Sequence, residues 1–268
     1  MDLGIAGKAA IVTGASTGIG FAVAKELISN GVAVVIAARD STRLEQAKES
    51  LLGTAGAKVA SVAVDVAAPG ASRTLVNQAL TAFGSVDILI NNAGRAHAGG
   101  LMNSSEDDWT DMAAVKLTSM RRLCKEAIPH MQQKRWGRIV NMSSIGGIYP
   151  NPKLFVSHVL SAAINNLTKS LALEVAKDGI LVNAIGIGAV ATDNWANNMV
   201  PAVRKSRLEM SALSDDEVLA RISAELTPVG RAGTPEEIAA IAAFLSSARN
   251  GFVTGDTIEA SGGADRFM

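Results

Sequence analysis

The stretch Thr13-Gly14-Ala15-Ser16-Thr17-Gly18-Ile19-Gly20 offers the chain's clearest chemistry, the binding of a phosphate. The apolar run Ala9-Ala10-Ile11-Val12 precedes it, and Phe21-Ala22-Val23-Ala24-Lys25-Glu26-Leu27 follows. That order reads as a buried parallel strand, a glycine-rich turn and a helix. The helix N-terminus offers unpaired N–H groups and the positive end of a dipole, both suited to phosphate. Glycine at 14 permits a tight turn, glycine at 18 lets a pyrophosphate approach the backbone, and glycine at 20 lets helix and strand pack closely. The spacing is Gly-x-x-x-Gly-x-Gly, a pattern that by itself also fits a plain strand-to-helix turn.

A cradle of this kind needs a sheet to hold it, and the rest of the chain supplies one. Val32 to Ala38 reads as a second strand ending at Arg39-Asp40-Ser41, with a polar helix from Leu44 to Leu51 behind it. Val59 to Val66 is a third strand closing on Asp65, followed by a helix from about Ser72 to Phe83. Val86 to Ile90 is a fourth, ending in Asn91-Asn92-Ala93-Gly94. Asn103-Ser104-Ser105-Glu106 is a capping signal for one long helix from about Asp107 to Gln133, with Pro129 near its end. Arg138 to Met142 is the fifth strand, running into Ser143-Ser144-Ile145-Gly146-Gly147. Pro150 and Pro152 keep the next loop out of a helix, and a second long helix covers about Leu154 to Lys177. Ile180 to Ile185 is the sixth strand; Thr234-Pro235-Glu236-Glu237 opens the last helix, and a strand near Thr257-Ile258-Glu259 closes the series.

Strands alternating with helices predict an α/β fold, a single doubly wound parallel sheet of Rossmann-like type with helices on both faces, spanning residues 1–268 as one domain. Ligands of such sheets sit outside the carboxyl ends of the strands. Gly14 to Gly20, Arg39, Asp65, Asn91, Ser144 and Gly188 fall at those ends. Residues 192–228 depart from the alternation: helical, rich in Asn, Met and charge, with Pro201 inside. The segment reads as a substrate lid. Its Trp195, Met199, Met210 and Leu213 either face the pocket or pack among themselves.

With 25 basic and 25 acidic residues the chain has no net charge, which argues against nucleic acid or an anionic membrane as partner. The cluster Arg204-Lys205-Arg207 reads as a solvated helix face. One cysteine, Cys124, allows neither a disulfide within the chain nor a cysteine zinc cluster, so no metal is expected and a reducing compartment is. No apolar run reaches membrane-spanning length, and the first strand begins too early to leave room for a signal peptide. The expectation is a soluble, cytoplasmic protein acting on a small molecule.

Taken together, these motifs resemble the short-chain dehydrogenase/reductase family, in its ketoacyl-reductase-like subgroup, over essentially the whole chain. The resemblance rests on Thr13 to Gly20, Asp65-Val66, Asn91-Asn92-Ala93-Gly94, Ser143-Ser144, Leu167-Thr168-Lys169-Ser170-Leu171-Ala172, Val182-Asn183-Ala184-Ile185 and the Gly255 to Gly263 tail. It implies a nicotinamide cofactor held at its pyrophosphate and adenosine ribose by Gly14, Ser16, Thr17, Gly18, Ile19 and Gly20. It also implies Asp65 and Val66 at the adenine, Asn92, Ala93, Gly94 and Ser161 at the ribose, and Gly188 and Thr192 near the nicotinamide. The residue closing the second strand selects the cofactor; Ala38 there, with Arg39 next, implies NADP, since a guanidinium suits a 2′-phosphate. NAD is the alternative if Arg39 is an ordinary surface arginine and Asp40 holds the ribose. The family's pairing of its two long helices implies a homo-oligomer, a tetramer or else a dimer.

The family's chemistry uses a tyrosine acid/base, a lysine one helical turn later, a serine and an asparagine. Ser144 matches the serine. Counting back from Leu167-Thr168-Lys169-Ser170 puts the tyrosine at Ser157 and the lysine at Ser161, and the asparagine at Lys116. A free serine hydroxyl is too weak an acid for the tyrosine's role. Lys116 either turns inward to fill the charge missing at Ser161 or points to solvent. Tyr149, the only tyrosine, mimics Tyr-x-x-x-Lys with Lys153, but the intervening prolines bar the helix that would join them; it remains a candidate pocket residue. His158 is a candidate base or a capping or core histidine. The reading is an NADP-dependent oxidoreductase of an unidentified carbonyl or alcohol substrate with a rebuilt catalytic centre, Ser144, Ser157, Lys116 and Tyr149. A non-redox lyase or hydrolase, or a non-catalytic nucleotide-binding subunit, is the alternative.

Overall fold

Runs of Ala, Val and Ile form the sheet because both of its faces are covered. In the computed structural model, which describes residues 2–95 and 97–265, the strands are β1 (Ala9–Thr13), β2 (Ala33–Ala38), β3 (Val59–Ala63), β4 (Ile88–Asn91), β5 (Gly137–Ser144), β6 (Ile180–Ile187) and β7 (Thr257–Ala260). They pair in parallel throughout, in the order β3-β2-β1-β4-β5-β6-β7. Side chains alternate between faces along each strand. Ala10, Val12, Val34, Ile36, Ile88, Ile90 and Val140 enter one core with α1 (Gly18–Ser29), α2 (Ser41–Leu52) and α9 (Pro235–Leu245). Ile11, Val35, Leu89, Ile139 and Val182 enter the other with α3 (Ala71–Phe83), α5 (Ser119–Lys134) and α6 (Phe155–Val175). This is the doubly wound α/β architecture that the alternation predicts. Among the described residues no helix is long and apolar enough to cross a membrane.

Several boundaries differ from the sequence reading, each for a local reason. The helix expected over 107–133 is in three parts: α4 (Glu106–Ala113), a π-helical turn (Ala114–Thr118) and α5. Apolar periodicity persists on both sides of the π turn, so the wider turn leaves no gap in the pattern. Pro129 sits inside α5 without ending it. β3 stops at Ala63 rather than Asp65, because the Asp65 carboxylate accepts from Ala67 N at 2.9 Å and turns the chain. β5 and β6 are longer than expected, paired from Gly137 and Ile180 to Ser144 and Ile187. The second long helix is α6, ending in a 3-10 turn at Ala176–Asp178.

The excursion between β6 and α9 carries α7 (Asp193–Ser206) and α8 (Asp215–Leu226). Val200, Val203, Met210, Val218 and Ile222 form its own buried cluster, with Met199 and Leu213 packed on it. Those methionines and Leu213 therefore pack among themselves, not into the cleft. Arg204 pairs with Asp215 at 2.7 Å and Arg207 with Glu225 at 2.5 Å, so the basic cluster, expected to be merely solvated, clips the two helices together. The ends of the excursion meet in a bridge between Val190 and Gly233, where Ala191 N donates to Gly233 O and Gly233 N to Ala189 O, both at 2.9 Å.

Candidate active site

The strand order reverses between β1 and β4, and the phosphate cradle lies at that switch point. Gly14 holds φ at +65°, open to glycine at little cost, and a Cβ there would lie 2.9 Å from Asn92 Nδ2. A Cβ at Gly20 would lie 2.3 Å from the Gly14 carbonyl oxygen, so helix α1 starts against bare backbone. Asn92 Nδ2 donates to the carbonyls of Thr13 and Gly14 at 2.9 and 3.0 Å. Thr13 Oγ1 accepts from the backbone N–H groups of Asn92 and Ala93, both at 3.0 Å. Thr13 was not among the candidate residues; a hydroxyl closing an otherwise apolar strand was its signal.

The α1 N-terminus is left ready for an anion. Its cap residue, Thr17, makes no side-chain capping bond, and no acidic residue stands in the first turn. By contrast α4, α8 and α9 each carry a capping box and acids at the same place. Gly18 faces Thr192, whose Cγ2 would lie 3.5 Å from a Cβ at 18, and Thr192 Oγ1 caps α7 through Trp195 N at 3.1 Å. The cleft between the glycine turn, Gly94, Gly188 and Thr192 thus has the donors and bare backbone that a dinucleotide requires. Arg39 is exposed beyond β2. Asp40 is engaged: it caps α2 by accepting from Arg43 N at 3.0 Å and pairs with the Arg43 guanidinium at 3.6 Å. Asp65 is exposed, Val66 and Ile19 half-buried beside it in the chain's loops and first helix turn.

The second half of the site is a lysine with two serines. Ser157 and Ser161, four residues apart on α6, share one face and are buried. Lys116, on the π turn, points inward, with Nζ 3.4 Å from Ser157 Oγ and 3.4 Å from Ser161 Oγ. Its stalk passes Gly94, where a Cβ would touch Lys116 Cγ at 3.5 Å and Cε at 3.8 Å. Burial pushes the ammonium pKa down to about 8. Ser161 Oγ donates to Ser157 O at 2.8 Å, which fixes it as an acceptor toward the lysine. Ser143 locks α6 onto β5, donating to Ser161 O at 3.2 Å and lying 2.7 Å from Asn165 Oδ1.

The other candidates separate from this cluster. Ser144, half-buried at the end of β5, accepts from Gly146 N at 3.1 Å, which leaves its own proton free to point elsewhere. His158 Nδ1 accepts from Asn151 N at 2.9 Å, and its ring lies where a Cβ on Gly146 would stand, 2.2 Å away. Burial and the Lys116 charge lower its pKa to about 4, so it is a neutral buttress beneath the Ser144 turn and not a base. The Tyr149 hydroxyl lies 3.5 Å from Glu259 Oε1, and that carboxylate raises its pKa. Tyr149 is thus turned toward the end of β7 and made a weaker acid, opposite to what a proton donor needs. Cys124 is buried, its thiol pushed up to about 12 by burial, and it packs beside Asn91, Asn141 and Thr168 in a hydrogen-bonded polar set within the core.

Comparison with known proteins bears on the fold and the family. The family model described as enoyl-(acyl carrier protein) reductase matches residues 14–265. The 3-oxoacyl-[acyl-carrier-protein] reductase FabG of Chlamydia pneumoniae is 35% identical over 263 residues, 98% of this chain and 99% of the relative. The protein of the same name from Escherichia coli (strain K12) is 35% identical over 260 residues, 96% and 97% of the two chains. Among solved structures, L-sorbose reductase from Gluconobacter frateurii, complexed with NADPH and L-sorbose, superposes with a TM-score of 0.91 at 32% identity over 100% of both chains. YwfH, an NADPH-dependent reductase involved in bacilysin biosynthesis, superposes with a TM-score of 0.88 at 29% identity, covering 97% of this chain and 99% of that one. A match along nearly the whole length, on a sheet of this order with its glycine cradle at the switch point, means that the chain belongs to the short-chain dehydrogenase/reductase family of oxidoreductases.

Proposed function

We propose that this protein is an NADP-dependent reductase of a small carbonyl compound, working through a catalytic centre rebuilt around Lys116. The observation that carries this reading is the inward Lys116, whose Nζ stands within 3.4 Å of both serines at the positions where the family's tyrosine and lysine belong. When bound, the cofactor supplies the hydride. The chain's own groups hold it and manage the proton. Gly14, Ser16, Thr17, Gly18, Ile19 and Gly20 take the pyrophosphate; Asp65 and Val66 flank the adenine; Asn92, Ala93, Gly94 and Ser161 the ribose; Gly188 and Thr192 the nicotinamide end. Ser144 turns its free proton to the substrate oxygen. Lys116, a weakened ammonium close to neutrality, delivers the proton that completes the alcohol, with the Ser157 hydroxyl as its neighbour in the path. Tyr149, facing Glu259, has no part in it. Residues 192–228 act as the lid.

NADP is favoured over NAD because Asp40, the carboxylate able to hold ribose hydroxyls, is already spent on the α2 cap, whereas Arg39 is exposed and open to a 2′-phosphate. Fluorescence titration with NADPH and NADH, followed by turnover over a panel of ketones and aldehydes, tests the reading. Arg39→Ala is expected to weaken NADPH by roughly tenfold to a hundredfold, the worth of a charge-assisted bond to phosphate, and to leave NADH nearly unchanged. Equal losses for both cofactors would make Arg39 a packing residue, and binding without any redox turnover would remove the reductase reading.

The outer face of α6 and the π turn carries Leu117, Leu167 and Leu171, only partly buried against their own core. We assign this face to pairing with the same helices of a second copy, giving a homotetramer or, failing that, a dimer; sedimentation as a monomer at micromolar concentration would refute it. A buried thiol and no disulfide suit the cytoplasm.

A further inference from the structure

Lys116 is held facing inward without a counter-ion among the described residues. Among the described residues no carboxylate pairs with it; its polar neighbours are two hydroxyl oxygens. Ser161 Oγ has committed its proton to Ser157 O and meets the lysine as an acceptor. Ser157 Oγ, buried and 3.4 Å away, still has a proton to exchange with the amine. The two serines lie on one side of Nζ, while the stalk runs past the exposed Gly94, which carries no side chain of its own. Burying an ammonium without a counter-ion shifts its balance toward the neutral form. A neutral amine beside a proton relay is the arrangement that attacks carbonyl carbon.

We propose that Lys116 is a covalent capture site for aldehydes, condensing reversibly with them to an imine. This rests on the reading of the cleft as a carbonyl site, although not on hydride transfer. The Nζ lone pair forms the C–N bond, and the carbonyl π pair moves to oxygen. Ser157 Oγ–H passes a proton to that oxygen and recovers one from the nitrogen, giving the carbinolamine. The carbinolamine hydroxyl then takes a second proton by the same relay and leaves as water as the C=N bond forms. One aldehyde and one amine give one imine and one water, with no change of oxidation level. With its pKa lowered to about 8, roughly a tenth of the amine is neutral at pH 7.

The test is borohydride trapping of the whole protein with butanal at pH 7, without nucleotide, read by peptide mass mapping. The reduced butyl adduct is expected at Lys116 with at least ~tenfold the occupancy of the exposed Lys25 and Lys125, which have no buried hydroxyl relay beside them. In urea the preference is expected to vanish. Lys116→Arg, which keeps the charge but cannot form an imine, is expected to remove the dominant adduct while circular dichroism shows a folded chain. Labelling at Lys116 no greater than at Lys25 and Lys125 in the native protein overturns the inference, whatever the variant does. NADPH oxidation with the same aldehyde is measured separately. Turnover without trapping at Lys116 discards the imine and keeps the reductase; trapping without turnover keeps the imine and discards the reductase.

Discussion

Replacing Lys116 with methionine is expected to lower carbonyl reduction by about 100-fold or more, the scale of a lost general acid, and to make the folded protein more stable. The two effects share one cause. Burial takes the ammonium from 10.5 to about 8 in the folded chain. Between those values the unfolded chain binds more protons, so stability rises with pH from about 8 to 10.5; below about 8 the folded chain carries a charge that its surroundings disfavour. The penalty at pH 7 is on the order of 3 kcal/mol by linkage, and methionine keeps the stalk's length without it. Thermal unfolding at pH 7 is expected to shift upward by several degrees in the variant, with the gap closing as pH approaches 11. In the wild type, reduction is expected to fall as pH rises through about 8, because the proton donor is lost, and alcohol oxidation to rise over the same interval. His158, neutral with a pKa of about 4, contributes no step nearby. Unchanged turnover in the variant, or a pH–rate profile flat through 8, would remove Lys116 from the chemistry.

The second large effect is a restoration. The variant Ser157→Tyr with Ser161→Lys rebuilds the residue types that the family uses, but the structure argues against it on its own. Lys116 Nζ is already 3.4 Å from Ser161 Oγ, so a lysine at 161 would bring two ammonium groups into one buried space. Like charges that close cannot both ionise without a steep cost. The double variant is expected to be inactive and less stable. Adding Lys116→Asn clears the space, and the triple variant is expected to reduce ketones at least about tenfold faster than the double. An active double variant would show that Lys116 readily swings away and that its inward pose is not required. A dead triple variant with intact NADPH binding would mean that the substrate pocket, not the proton donor, has diverged.

Much of this was legible in the sequence, because it depends on local pattern. The alternation of apolar runs and helices gave the sheet, and Gly14 to Gly20 gave the cradle. Counting from Leu167 to Ser170 placed Ser157 and Ser161 correctly on one helical face. The direction of Lys116 was not legible. A 3.6-residue period leaves a residue between Val115 and Leu117 equally free to face in or out, and the π turn that decides it has no signature in composition. Tyr149 misled for the opposite reason: it had the right chemistry for the role, but its loop carries the hydroxyl to Glu259. Thr13 was overlooked because its hydroxyl accepts from backbone N–H groups, partners that no pattern of side-chain types names.

The bridge between Val190 and Gly233 also bears on how this protein can change. The excursion leaves the sheet and returns at one point, and its helices carry a core of their own. The entropy of closing that loop is met at its neck, and lengthening a closed loop costs little more, about 0.6 kcal/mol per doubling. Changes of length in the connection between α7 and α8 are therefore nearly invisible to the β-sheet. The proposed lid, α7 and α8, is a cartridge, open to redesign while the sheet and its glycine turn stay as they are.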